Sequence, residues 1–192
     1  MNVLILDGGP RDGRGAACRV VAAAAADWAR RRGHAVAFLS PDGMALEPCR
    51  SCFACWVKHP GACAIRDDAE AIVRAAAAAD LMVWITPVTF GGYGPALKRA
   101  LDRVLPILLP DFIVRRRETR HPLRYVRRRA LVVLGTRPDP DPEAERIFHR
   151  LVARNALNWD SVHSASHVVT ERDESGSAGR VEDLLRAAEE AL

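Results

Sequence analysis

Lysine is nearly absent from this 192-residue chain: of its 28 basic residues only Lys58 and Lys98 are lysines, and 26 are arginine. Beside heavy use of alanine, the imbalance reads as a compositional bias that raises arginine everywhere, so the arginine total alone is no argument for nucleic acid. Long apolar runs are lacking too. The longest are broken by Asp80, Pro106 or Pro110, well short of the roughly 20 residues that span a bilayer. Only Val3 to Leu6 separate Met1 from a turn at Asp7, which leaves no room for a signal peptide, and the expected compartment is the cytoplasm. The histidines are scattered, no Ser/His/Asp pattern suggests a hydrolase, and neither a repeat nor a linker divides the chain. Its length suits one α/β domain over residues 1–192 and is short for two.

The charge is unevenly placed. Residues 115–129 hold eight arginines and one acid, Glu118, so about +7 sits there and about −3 on the rest of a chain of net charge +4. Nucleic-acid surfaces interleave aromatic platforms with basic residues, and only Tyr125 interrupts this run. A solvated loop or subunit contact is its first reading, the phosphates of a nicotinamide nucleotide a second, and nucleic acid the least favoured.

The chain is organised around its first residues. Val3-Leu4-Ile5-Leu6 is a short continuous apolar run, the pattern of a strand buried on both faces. The turn Asp7-Gly8-Gly9-Pro10-Arg11-Asp12-Gly13-Arg14-Gly15 follows, and an alanine-rich helix begins near Ala16. Glycines between a buried strand and a helix let backbone approach a ligand, and the N–H groups and dipole at the helix start hold an anion. A plain tight turn explains the same residues equally well.

The remaining elements alternate. A helix runs from Ala16 to Arg32, with Val20, Val21, Ala24 and Trp28 on one face and Gly33 as its C-terminal cap. Ala35–Leu39 reads as a second strand. Asp67 to Glu70 gives a capping box for a helix reaching Ala79, and Leu81–Ile85 is a third strand. A loop with turn chemistry, Thr86–Pro95, precedes a helix from Ala96. Residues 106–129 read as irregular, Ala130–Leu134 as a fourth strand, and Asp141-Pro142 as the cap of a helix to Asn155. Val162–Val169 suits an edge strand, and Arg180–Leu192 a closing helix. Five strands alternating with helices call for a parallel sheet covered on both faces, with its ligand beyond the strands' carboxyl ends.

Four of five cysteines cluster as Cys49, Cys52, Cys55 and Cys63, a C-x2-C-x2-C-x7-C pattern. Such spacing lets three thiolates reach three corners of a cubane cluster from one loop, with a fourth beyond. Structural zinc more often uses two separated pairs, and a thiol or disulfide site or a purely structural loop stays open. Cys18 reads as a small core residue, and Trp56 as a packing residue beside the cysteines.

Residues 8–15, Pro87-Val88-Thr89-Phe90-Gly91-Gly92, Leu97-Lys98-Arg99-Ala100-Leu101-Asp102-Arg103 and the cysteine cluster occur in that order. Together they resemble the flavodoxin-like NAD(P)H-dependent FMN reductases, within them the iron–sulfur flavoprotein branch. The match is best over residues 3–105. The resemblance implies a flavodoxin-like three-layer α/β sandwich, with a five-stranded parallel sheet in the order 2-1-3-4-5. It places the FMN phosphate on Gly9, Pro10, Arg11, Gly13, Gly15 and Ala16. The isoalloxazine ring would lie between Pro87, Val88, Thr89, Phe90, Gly91 and Gly92 on one side and Gly135, Thr136 and Arg137 on the other. A [4Fe–4S] cluster on the four cysteines and a homo-oligomer are implied as well. One departure stands out: where the family carries a Ser and then a Ser or Thr in its phosphate loop, this chain has Gly9 and Ala16, leaving backbone N–H groups and Arg11 to compensate.

The expected function is an FMN-dependent oxidoreductase that takes electrons from NAD(P)H as co-substrate. It would pass them to a small acceptor such as a quinone or nitro compound, or to the cluster. No protein side chain is expected to act as a catalytic acid or base, because the cofactor carries the chemistry. A carrier between protein partners, docking an acidic partner on the arginine run, is the alternative. A flavin-free binding module on the same fold is a third.

Overall fold

The computed structural model describes residues 1–115, 117–170 and 174–192, without the side chains of 174–178; Arg116 of the arginine run thus lies outside the described residues. In chain order the elements are β1 (Asn2–Asp7), α1 (Ala16–Arg31), β2 (Ala35–Leu39), α2 (Ala54–Val57), α3 (Ala69–Ala78), β3 (Leu81–Thr89) and β4 (Gly92–Tyr93). There follow α4 (Pro95–Asp102), β5 (Ile113–Arg115), β6 (Glu118–Arg120), β7 (Ala130–Arg137), α5 (Pro142–Asn158), β8 (His163–Thr170) and α6 (Glu174–Glu190).

Parallel strands pair in the order β2-β1-β3-β7-β8, the expected 2-1-3-4-5 path. The short β4 returns antiparallel onto the end of β3. The three central strands are the apolar runs, and their alternation splits the core in two. Leu4, Leu6, Met82, Trp84, Leu131 and Val133 pack against α3, α4 and α5. Val3, Ile5, Val83, Ile85, Val132 and Leu134 pack against α1 and α6. No helix among the described residues is long and apolar enough to cross a membrane.

Several local readings hold. Gly33 takes φ +73°, its N–H bonds the Arg30 carbonyl and that of His34 the Ala29 carbonyl, closing α1 as a helix-ending glycine does. Asp141 caps α5, accepting the Ala144 N–H at 3.0 Å. Others need correction. Val20 faces solvent, because the stripe Ala22, Ala25, Ala26 and Ala29 is what lets α1 lie close on the sheet. The capping box at α3 does not close: Asp67 accepts the Ala69 N–H, but Glu70 turns to Arg74 instead of reaching back.

The stretch read as irregular carries a hairpin, β5–β6, and its arginines are tied inward. Arg115 and Arg120 pair with Asp160, Arg127 with Asp80, and Arg128 donates to the Ala191 carbonyl. Arg129 is buried, its guanidinium 5.8 Å from the centre of the Trp159 ring. Most of the run is thus a strap pinned to the domain by its own side chains, and a freely solvated loop is not what the structure shows.

Arg103, just after α4, is buried as fully as Arg129. It grips Asp67 with both ends of its guanidinium, at 2.6 and 2.8 Å, with side-chain exposures of 0% and 8%. The same group donates to the Glu47 and Ile65 carbonyls and to Cys63 Sγ. Asp67 also takes the Glu47 N–H. The pair therefore closes the loop between Glu47 and Asp67. Burial alone would raise the Asp67 carboxyl, but bonds from Arg103 and from the backbone outweigh it and hold the group below the usual carboxylate range.

Replacing Asp67 by Asn leaves a buried guanidinium uncompensated, and urea denaturation should show a loss of about 3–5 kcal/mol; a loss under about 1 kcal/mol would contradict this placement. Because Asp67 titrates lower folded than unfolded, its contribution is full above the unfolded value of about 3.9 and is lost as the pH falls below it. The wild-type chain should accordingly lose stability more steeply than the Asn variant on acidification below about pH 4.

Candidate functional site

Parallel strands deliver their following turns to one edge, and the chain reverses direction across that edge where β2 and β3 flank β1. Cross-links fasten these turns to one another. Gly8 N–H bonds the Ile85 carbonyl at 2.8 Å, joining the β1 turn to β3. Cys18 Sγ lies 3.0 Å from Thr136 Oγ1, joining the start of α1 to the end of β7. Arg137 donates to the Val88 carbonyl, joining β7 to β3. Arg11 N–H bonds Asp42 at 2.9 Å, joining the β1 turn to the loop after β2. The turns after β1, β2, β3 and β7 are thus fastened into one rim.

Within the β1–α1 turn the backbone donors point at carboxylates. Gly9 N–H bonds Asp7 Oδ1 at 3.0 Å, Arg14 N–H bonds Asp12 Oδ1 at 3.0 Å, and Arg11 N–H bonds Asp42. Asp42 lies 31 residues away in sequence, so a foreign anion already sits on this turn. A surface of N–H groups holding carboxylate oxygens has the chemistry of a phosphate site, and in that respect the residues fit the phosphate of FMN. The acids partly offset that fit. Asp7 is buried, which pushes its carboxyl above the usual range against the Gly9 N–H and Arg19, and Asp42 adds to the rise.

The glycines act mainly on the protein itself. A Cβ at Gly15 would stand 1.8 Å from the Pro10 carbonyl oxygen, and one at Gly9 2.4 Å from Cys18 Cβ. Only at Gly13 does the turn face open space, and the Ala16 N–H closes back on the Gly13 carbonyl. At the second expected loop, Val88 pairs with Tyr93 and Thr89 with Gly92. Phe90 and Gly91 are then the two turn residues, at φ +50° and +78°, the signs that a type I′ hairpin needs. Phe90 stands 95% exposed at the tip. Pro87 packs against Gly94, Gly135 against Val88, and Arg137 also pairs with Asp141. A cavity of about 490 Å³ between α4 and α5 is lined by Tyr93, Leu101 and Trp159, and shares only Gly92 with the expected flavin loops.

The cysteine loop folds about α2, with Ser51 and Phe53 at φ near +50°. Cys55 is buried, Cys49 and Cys63 partly so, and Cys52 exposed. Burial pushes the Cys55 thiol up, and the neighbouring Cys63, Cys49 and Cys52 push it further. The donor types suit a cluster, but among the described residues no three His, Cys, Asp or Glu side chains converge closely enough to hold a metal ion. Trp56 donates to the Leu105 carbonyl, stacks on Phe53 and meets His121 at a tilt, as a packing residue does.

Sequence reasoning assigned no part to Asp7, Arg19, Asp42 or Arg103, although Asp7 and Arg103 stood in stretches already singled out, and it placed Cys18 in the core, where it lies, without its bond to Thr136. The partners of Cys18 and Asp42 come from other strands, so only the sheet order makes them visible.

A scan of protein-family models matches residues 1–133 to the NADPH-dependent FMN reductases. An iron–sulfur flavoprotein of Methanosarcina thermophila is 30% identical over 115 residues, 60% of this chain and 58% of that protein. One of Methanocaldococcus jannaschii is 37% identical over 70 residues, 36% and 35% of the two chains. The matched stretch thus spans little more than half of the first relative and about a third of the second. Among solved structures, an NAD(P)H:quinone oxidoreductase from Methanothermobacter marburgensis superposes with a TM-score of 0.68 at 17% identity, covering 100% of this chain and 95% of that one. An FMN-dependent NADH-azoreductase from Bacillus anthracis in complex with FMN gives 0.63 at 13%, covering 98% and 100%. These likenesses show the flavodoxin-like fold.

Burial pushes the Cys18 thiol up to about 11, against the bond to Thr136, so at pH 8 only about a thousandth of it is thiolate. Iodoacetamide at that pH should modify exposed Cys52 early and leave Cys18 unmodified until the chain is denatured, as read by peptide mass spectrometry. Early labelling of Cys18 in the folded protein would contradict the buried bridge.

Proposed function

Because the chain belongs to the NADPH-dependent FMN reductase family, we propose that it is an FMN-dependent oxidoreductase using NAD(P)H and a small acceptor such as a quinone or nitro compound. The observation that carries the reading is the β1–α1 turn, whose backbone N–H groups already hold three carboxylates at the switch point of the sheet. Residues Gly9 to Ala16 would take the phosphate on their backbone N–H groups. Pro87 to Gly92 and Gly135 to Arg137 would flank the ring. Bound there, FMN supplies a two-electron carrier between a hydride donor and an acceptor that need not meet. The chain's part is to hold and orient: Thr136 is fixed by Cys18, and Arg137 by Asp141 and the Val88 carbonyl. No side chain is assigned a proton.

A [4Fe–4S] cluster on Cys49, Cys52, Cys55 and Cys63 is the finer part of this reading. The spacing and the relatives' printed names support it, and the separation of the thiols here opposes it, so no electron is routed through it. Assembly with a second copy of the chain belongs to the same reading, supported by exposed Phe90, Phe112 and Val114. The carrier alternative loses the feature that favoured it, since most guanidinium groups of the run are engaged within the chain.

Anaerobic purification, an absorption spectrum and iron and sulfide analysis test the whole proposal. Flavin bands with NAD(P)H oxidation by menadione are expected; a colourless protein with no affinity for added FMN would overturn it, and flavin without iron would remove only the cluster. Asp42→Asn removes an anion from the Arg11 N–H and should tighten FMN binding several-fold, at the scale of one charged contact. Weaker binding in that variant would contradict the placement of the phosphate.

A further inference from the structure

The turn proposed to hold the flavin phosphate lacks the two hydroxyl side chains of its family, and its charges leave one cation in position to replace them. Arg14 is bound to Asp12 in its own turn at 2.6 Å. Arg11 leans away: its guanidinium lies over Gly43, where a Cβ would come within 2.4 Å of Nη1, on the side of the loop after β2. Arg19, one turn into α1, reaches back into the centre. Its Nη1 donates to the Pro10 carbonyl at 3.2 Å and the Asp12 carbonyl at 3.1 Å, the two carbonyls that bracket Arg11. A Cβ on Gly15 would stand 3.0 Å from the same nitrogen. Among the described residues, Nε and Nη2 of Arg19 have no hydrogen-bond partner, so one edge of the fork is held by the turn and the other is open.

We propose that Arg19 is a phosphate-directed binding residue, standing in for the hydroxyl groups absent at Gly9 and Ala16. The proposal rests on the reading of this turn as a flavin phosphate site. Two features argue for it beyond proximity. The carbonyl bonds fix the guanidinium before a ligand arrives, so little side-chain freedom is lost on binding, and a planar fork offers a phosphate two parallel donors. The charge balance also requires it. Asp7, Asp12 and Asp42 place three carboxylates on the turn, and a phosphate adds further negative charge that the dipole of α1, about half a unit, does not offset. With Arg14 neutralised by Asp12 and the Arg11 guanidinium turned over Gly43, Arg19 is the cation that remains.

The experiment compares FMN with riboflavin, which shares the ring and lacks the phosphate, by quenching of flavin fluorescence with apo-protein. Wild type should prefer FMN. In Arg19→Gln the FMN dissociation constant should rise about ten- to a hundredfold while that of riboflavin stays put, the range expected for losing hydrogen bonds to a charged group. Arg19→Lys, which keeps the charge without the fork, should recover part of the loss, and the salt dependence of FMN binding should shrink in the Gln variant. Equal weakening for both flavins would show that Arg19 merely shapes the turn, and unchanged FMN binding would show that it does nothing there; either overturns the inference. A wild-type protein that binds both flavins equally would instead overturn the phosphate reading of the turn itself.

Discussion

The buried start of the β1–α1 turn cannot leave its N–H groups without partners, and that requirement shapes the rest of the rim. The β1–α1 turn satisfies three of them with Asp7, Asp12 and Asp42. Of the three only the Gly9 N–H is buried, where an unsatisfied donor would cost about 1–3 kcal/mol, so Asp7 is a folding solution as much as a chemical one. The consequence is a turn whose N–H groups hold carboxylates and whose own composition is already anionic. Any phosphate arriving there meets competition as well as donors, and the arginines around it are the counterweight.

The same turn ties the rim to the rest of the chain. Asp42 begins the loop that carries the cysteines, and that loop is closed at its far end by the buried pair of Arg103 and Asp67. Arg103 also touches Cys63, so the end of α4 is tied directly to the cysteine loop. The β1–α1 turn is joined to the same loop through Asp42 and the backbone that follows it.

Much of this was legible in advance because it depends on local pattern. The apolar runs of β1, β3 and β7 announce strands buried on both faces, and Gly33 and the Asp141-Pro142 pair mark helix ends by chemistry that acts within a few residues. The strand order came from the resemblance. The hairpin β5–β6 was hidden by its arginines, whose partners Asp160, Asp80 and Ala191 lie far along the chain. The glycines of the first turn left a ligand's approach and a plain tight turn equally open, and the sequence alone does not reveal that Gly9 and Gly15 also serve the protein's own close packing. Cys18 looked like filler because its partner, Thr136, arrives from another strand. The cysteine spacing names a donor set but says nothing of whether the thiols converge.

The most direct test of the account is a crystal structure of the protein with FMN. The phosphate should occupy the β1–α1 turn, with Asp42 withdrawn from the Arg11 N–H and the ring lying between the Pro87–Gly92 and Gly135–Arg137 segments. Flavin bound elsewhere on the molecule, with the three carboxylates still seated on the turn, would contradict it.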